Sequence, residues 1–192
     1  MTWPFGDLKR GHYSVCLIDP PWAWKGGTKS RPQHYGRLTL DQIKALPVRD
    51  LLKPEGGRVG LWLTAPLMHR MPEIAKAWRL RYSSMIPWIK LWNNEGGMFV
   101  YANSVARGTG LEVVGNAEYC VILKAGRPHS ILGKPFPGVL IEPRREHSRK
   151  PVNLHVEIEQ RIPGPWCEIF ARERRPGWDA YGDEVGKFGE AA

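Results

Sequence analysis

Cysteine is scarce in this chain. Three in 192 residues, at Cys16, Cys120 and Cys167, are odd in number, far apart and set within apolar runs. That pattern excludes a disulfide framework and a Cys-based metal site, and it reads as reduced core thiols. The six histidines, His12, His34, His69, His129, His147 and His155, show no ligand spacing. No apolar run approaches the ~20 residues that a membrane span needs. Met1-Thr2-Trp3-Pro4-Phe5-Gly6-Asp7 lacks the charged and apolar regions of a secretory signal. The expectation is a cytoplasmic protein that is not held in a membrane. Internal repeats, low-complexity stretches and linkers are absent too. A length of this order suits one domain over residues 1–192, since domains usually hold about 100–200 residues.

Positive charge is what the chain has in excess: 28 Lys and Arg against 19 Asp and Glu, a net +9. A balance of this sign suits a polyanionic partner, because neutralised phosphates release counterions and supply affinity. The cations are clustered. Lys25, Lys29, Arg31 and Arg37 form one group, Arg144, Arg145, Arg149 and Lys150 a second, and Arg172, Arg174 and Arg175 a third.

Apolar patterning predicts strands over Tyr13–Ile18, Val59–Leu63, Met85–Leu91, Ala117–Lys124, Val139–Ile141 and Trp166–Ala171. Pro87 marks the third as an edge or bulged strand. Helices are predicted over Leu40–Leu46, capped by Thr39 or Asp41, over Pro66–Trp78 and over Val152–Arg161. Residues 93–110 form a long polar segment without periodicity, and loops of that length are usually functional or mobile. Strands alternating with helices argue for an α/β fold with a mostly parallel sheet covered on both faces.

The first strand runs directly into Asp19-Pro20-Pro21-Trp22. In open α/β sheets ligands bind at the carboxyl ends of strands. On position alone, a turn and an active site are equal readings of this tetrapeptide. Its residue types point to methylation of a planar exocyclic amine, whose lone pair is delocalised and poorly nucleophilic. A carboxylate and a backbone carbonyl accepting the two amine hydrogens would draw that nitrogen towards a reactive form. The prolines lack backbone donors and fix φ, so the Pro20 carbonyl can be aimed. Trp22 offers a face for a flipped-out base. Asp or Asn, Pro, Pro and an aromatic is also the general signature of amino methyltransferases, which tips the reading to catalysis.

The chain resembles the MT-A70-like adenine-N6 methyltransferase family, typified by the catalytic subunit of the eukaryotic mRNA (N6-adenosine) methyltransferase, in its compact bacterial and phage form. The likeness runs from about Tyr13 to Phe188. It is carried by Asp19-Pro20-Pro21-Trp22, Tyr35-Gly36, Leu61-Trp62-Leu63-Thr64, Gly108-Thr109-Gly110, Glu118-Tyr119-Cys120, Ser148-Arg149-Lys150-Pro151, Glu168-Ile169-Phe170-Ala171-Arg172 and Gly177-Trp178 through Gly182-Asp183-Glu184. The resemblance implies a Rossmann-like fold with permuted motif order and S-adenosylmethionine as methyl donor. That donor carries no phosphate, in keeping with the missing glycine-rich phosphate loop.

Roles follow from the resemblance residue by residue. Asp19, Pro20, Pro21 and Trp22 are implied as catalytic, with Asp19 also touching the donor's amino group. Tyr35 would line the donor and adenine pocket, and Lys150 would reach the donor's methionine carboxylate. Arg172 and Arg174 would lie along the ribose, and Asp183 and Glu184 would accept its hydroxyls. The family commonly has Asn where Asp183 stands, and its eukaryotic members have His-Asn where Arg174-Arg175 stand. Lys25, Lys29, Arg31, Arg144, Arg145 and Arg149 are the candidate nucleic-acid contacts. The expected reaction is methylation of adenine N6 in DNA. The alternatives are the same reaction on RNA, and a non-catalytic nucleic-acid-binding partner subunit. Retention of all four signature residues speaks against the latter. Self-association is compatible with the sequence.

Overall fold

The computed structural model describes residues 2–23, 36–92, 104–108, 112–146 and 148–189. Seven strands form one sheet: β1 (Val15–Ile18), β2 (Gly56–Thr64), β3 (Arg81–Leu91), β4 (Ala117–Gly126), β5 (Leu140–Pro143), β6 (Trp166–Ile169) and β7 (Trp178–Tyr181). Their order across the sheet is β5-β3-β4-β2-β1-β6-β7. Every neighbouring pair is parallel except the two made by β4, which runs against both β2 and β3. The expected mostly parallel, Rossmann-like α/β sheet is what the chain forms.

Helices α1 (Leu40–Ala45), α2 (Met71–Ala77) and α3 (Asn153–Arg161) cover the sheet. Side chains alternate along a strand, and β1 divides accordingly. Cys16 and Ile18 pack with Ile43 of α1 and Ile74 of α2. Val15 and Leu17 pack with Leu154 and Ile158 of α3. Both faces are therefore buried, which is why β1 reads as an unbroken apolar run. Thr39 caps α1 through a reciprocal capping box with Gln42, satisfying donors that the first turn leaves open.

Several local expectations change in three dimensions. The helix expected over Pro66–Trp78 is a 3₁₀ segment, Ala65–Arg70, followed by α2. Pro72 cannot sit inside a helix, because it lacks the N–H and its ring clashes with the preceding turn. It is accommodated instead in the first turn of α2. Pro87 pairs with Tyr119 of β4, and β5 joins β3 only from Trp88 onwards. The proline therefore lies where β3 has a strand on one side, while the irregularity falls earlier, between Tyr82 and Ser84. β7 was not expected from the sequence. Residues 93–103 and 109–111, most of the expected long loop, lie outside the described residues. Within 104–108, Ala106 is buried and its N–H donates to the Lys90 carbonyl.

Gly60 of β2 allows a close contact with the strands on both sides. A Cβ there would meet Leu17 Cδ2 at 2.5 Å and Cys120 Sγ at 2.9 Å. The strand that ends at Asp19 is thereby packed against its neighbours without a gap.

Candidate active site

All the parallel strands end on one edge of the sheet, and β4 begins there. Asp19 follows β1, Phe170 follows β6, and Glu118 stands second in β4. Lys150, from the turn before α3, reaches across this edge. Its Nζ lies 2.8 Å from Asp19 Oδ2 and 2.9 Å from Glu118 Oε2. Glu118 is paired on its other oxygen with Lys90 of β3. Arg172 completes the set: Nη1 is 3.6 Å from Asp19 Oδ2, and Nε donates to Glu184 Oε2 at 3.0 Å. The Lys150 and Asp19 side chains are only 10% and 16% exposed.

Burial sets the proton affinities. It raises the Asp19 carboxyl above its ordinary range, outweighing Lys150, and the nearby Glu118 adds to the rise. Burial would raise Glu118 as well, but Lys150 and Lys90 together overcome it and hold that carboxyl down to about 2. Desolvation works against the Lys150 cation, yet Asp19 and Glu118 raise its proton affinity overall. One fixed cation thus serves two carboxylates of opposite character.

Two adjoining clefts open beside Asp19, sharing it with Phe170 and Arg172. One runs under Ser148, Lys150 and Glu168, and the other runs past Pro21 to Asp183 and Glu184. Ser148 and Phe170, which both line the first, have left-handed backbones, with φ of 65° and 61°. Such non-glycine conformations cost of order 1–3 kcal/mol and concentrate at functional sites. Arg172 Nη1 donates to the Ser148 carbonyl at 2.7 Å, tying the two turns together. In the same cleft, the buried His155 and the half-buried Glu168 interact at 3.0 Å. Gly182 meets the same turn closely, since a Cβ there would lie 2.7 Å from the Ala171 carbonyl oxygen.

Asp19, Pro21, Lys150, Arg172, Asp183 and Glu184 therefore converge on one pair of clefts. Pro20 is buried beside them, and Trp22 is bridged to Leu38 and packs on the core. Arg174 is exposed and lines neither cleft. Tyr35, Lys25, Lys29 and Arg31 lie outside the described residues. In the second basic cluster, Arg149 pairs with Glu173 and Glu146, and Arg145 lies 3.5 Å from Glu173. Arg144 instead stacks on Trp92. Glu118 and Lys90 are the members of the charged set that were not singled out as site residues in the sequence. Their proximity to Asp19 depends on β4 running backwards. Among the described residues no group of three or more His, Cys, Asp and Glu could hold a metal ion, and no helix is long and apolar enough to cross a membrane.

The pattern of the MT-A70 family matches residues 13–184, from the strand before Asp19 to Glu184 at the far wall of the cleft. The chain belongs to the MT-A70 family. It is similar to the N(6)-adenine-specific methyltransferase METTL4 of Homo sapiens, with 29% identity over 93% of this chain and 39% of that protein. It is also similar to the N(6)-adenosine-methyltransferase catalytic subunit METTL3 of Homo sapiens, at 25% identity over 91% and 28% of the two chains. The type II methyltransferase M.MunI of Mycoplasma sp shares 24% identity over 94% and 81%. The chain thus spans about two fifths of the METTL4 proteins and most of M.MunI.

Proposed function

We propose that this chain transfers the methyl group of S-adenosylmethionine to the exocyclic N6 amine of adenine in DNA. The observation that carries the reading is the largely buried Asp19 carboxylate just past β1, followed by the Pro20-Pro21 turn and faced by Lys150 and Arg172. The clefts suit the donor. Its amino-acid end needs a cation and an anion side by side, and Lys150 and Asp19 provide them 2.8 Å apart. Vicinal ribose hydroxyls call for carboxylate acceptors, and Asp183 and Glu184 line the same cleft as Asp19 and Arg172. When bound, S-adenosylmethionine supplies an electrophilic methyl group on a sulfonium.

The chain's own residues do the rest. Asp19 and the Pro20 carbonyl accept the hydrogens of the target amine, which frees the nitrogen lone pair. Because burial raises the Asp19 carboxyl, it is a better proton acceptor than an exposed carboxylate, and it takes up the proton released as the N–C bond forms. Trp22 stacks on the extruded base. Lys150 holds Asp19 in place and keeps water from being its sole partner. The relatives named for N(6)-adenine and N(6)-adenosine support adenine N6 as the acceptor. A net charge of +9 supports a nucleic-acid substrate, and coverage of most of the type II methyltransferase M.MunI supports the compact form. RNA is the second reading, favoured by the METTL3 likeness.

Transfer of tritium from labelled donor onto matched DNA and RNA oligonucleotides tests this. Label should reach adenine N6 in DNA, and Asp19→Asn should lower turnover by about 10²–10⁴-fold in a protein that still folds. Faster transfer to RNA would move the substrate assignment. Label on cytosine, or full activity in the Asn variant, would overturn the chemistry.

A further inference from the structure

We propose that Trp92 and Arg144 form a stacking platform for a base that flanks the target in a single-stranded DNA substrate. The inference rests on the reading of the Asp19 site given above and adds to it a second contact point on the same strand.

The two residues are brought together by adjacent parallel strands. Trp92 directly follows β3 and Arg144 directly follows β5, whose last residues, Leu91 and Pro143, are register partners. The Arg144 N–H donates to the Leu91 carbonyl at 3.0 Å, and the Trp92 N–H donates to the Ser104 carbonyl at 3.0 Å. Both backbones are therefore pinned. The Arg144 guanidinium carbon lies over the Trp92 ring, 4.1 Å from its centre. Trp92 is 37% exposed and Arg144 is exposed.

The surrounding cations are used differently. Arg145 and Arg149 pair with Glu173, and Lys90 and Lys150 pair with Glu118. Arg144 has no carboxylate partner among the described residues; it is held by an indole. An aromatic ring and a guanidinium plane are the two surfaces on which unstacked bases settle, and the cation serves an adjoining phosphate as well. A chain of net charge +9 favours such an occupant over an acid-poor protein surface.

Position gives the span. Asp19 ends β1 and Trp92 ends β3, with β2 and β4 between them. Three strand spacings of about 4.8 Å separate the two strands across the sheet. The register sets Asp19 level with Ile86, six residues before Trp92. The platform therefore lies about 14 Å across and about 20 Å along the strands from Asp19, about 24 Å in all. At a stacked rise of about 3.4 Å per nucleotide, that is within about seven nucleotides of the target. A base held there cannot also be paired, so the substrate is open at the platform as well as at the target.

The test is an abasic scan. A short oligothymidine carrying one adenine is bound to the wild-type protein with an abasic site placed at each flanking position in turn. Affinity should fall roughly 5–150-fold at one position within that span, the range for losing one stacked base. In Trp92→Ala that position should lose its sensitivity, while Trp92→Phe should keep it. Melting curves of both variants establish that they fold. Equal sensitivity at all positions, an unchanged scan in Trp92→Ala, or tighter binding to fully paired duplex would overturn the platform, leaving the Asp19 reading intact if the wild type still methylates the oligonucleotide. A wild type that neither binds nor methylates DNA or RNA would overturn both.

Discussion

Replacing Lys150 by Met removes one cation from between two largely buried carboxylates while keeping the length and most of the volume of the side chain. Each contact, at 2.8 and 2.9 Å, is worth about 6 kcal/mol of gross attraction at an effective dielectric of about 20. Desolvation of all three groups offsets most of that. What remains when a buried pair is broken is about 3–5 kcal/mol, chiefly the penalty of the charge left behind. The lower end applies, because Arg172 still faces Asp19 at 3.6 Å and Lys90 still pairs with Glu118. The loss should depend on pH. Glu118, held down to about 2, contributes stability above its unfolded value near 4.3 and loses it as pH falls through about 2. Asp19, already raised by burial, rises further without Lys150 and protonates first as pH falls. The deficit of Lys150→Met is therefore greatest near neutral pH and above, and should shrink by more than about 1 kcal/mol by about pH 4.5. Urea unfolding at about pH 8 and about pH 4.5 reads this directly. Titration calorimetry with S-adenosylmethionine should show affinity lower by roughly 1.5–3 kcal/mol. A variant as stable as wild type at both pH values, or a deficit that does not change with pH, would refute the shared-cation account.

Two further outcomes follow from packing. Gly60→Ala should destabilise the chain by about 1–3 kcal/mol, because the new Cβ would meet Leu17 Cδ2 at 2.5 Å in a region without exposed neighbours; an unchanged denaturation midpoint would contradict that fit. A thiol reagent should label none of Cys16, Cys120 and Cys167 in the native protein and all three after denaturation, since all are buried and burial pushes the Cys120 and Cys167 thiols up. Rapid labelling of the native chain would show that the sheet opens more readily than its packing implies.

Sequence alone carried whatever depends on near neighbours. The apolar run of β1 ending at Asp19-Pro20-Pro21-Trp22 was visible because a strand buried on both faces has a simple composition. The start of α1 was visible because Thr39 and Gln42 cap it three residues apart. The split at Pro72 was also latent there, in the geometry of proline, but helical spacing across Leu67, Met71 and Ile74 masked it. β7 was missed: four residues with Asp179 among them, bonded through Asp179 Oδ2 to the Tyr13 hydroxyl across 166 positions, carry no local strand signal.

Tertiary structure decided the site's electrostatics. Only the reversal of β4 brings its first residues to the edge where the parallel strands end, and so sets Glu118 against the Lys150 that also holds Asp19. Composition likewise treats Arg144, Arg145 and Arg149 as one basic cluster. Folding assigns two of them to Glu173 and the third to the ring of Trp92. Charge is a property of the residue, but whether that charge remains available depends on what the fold places within a few ångströms of it.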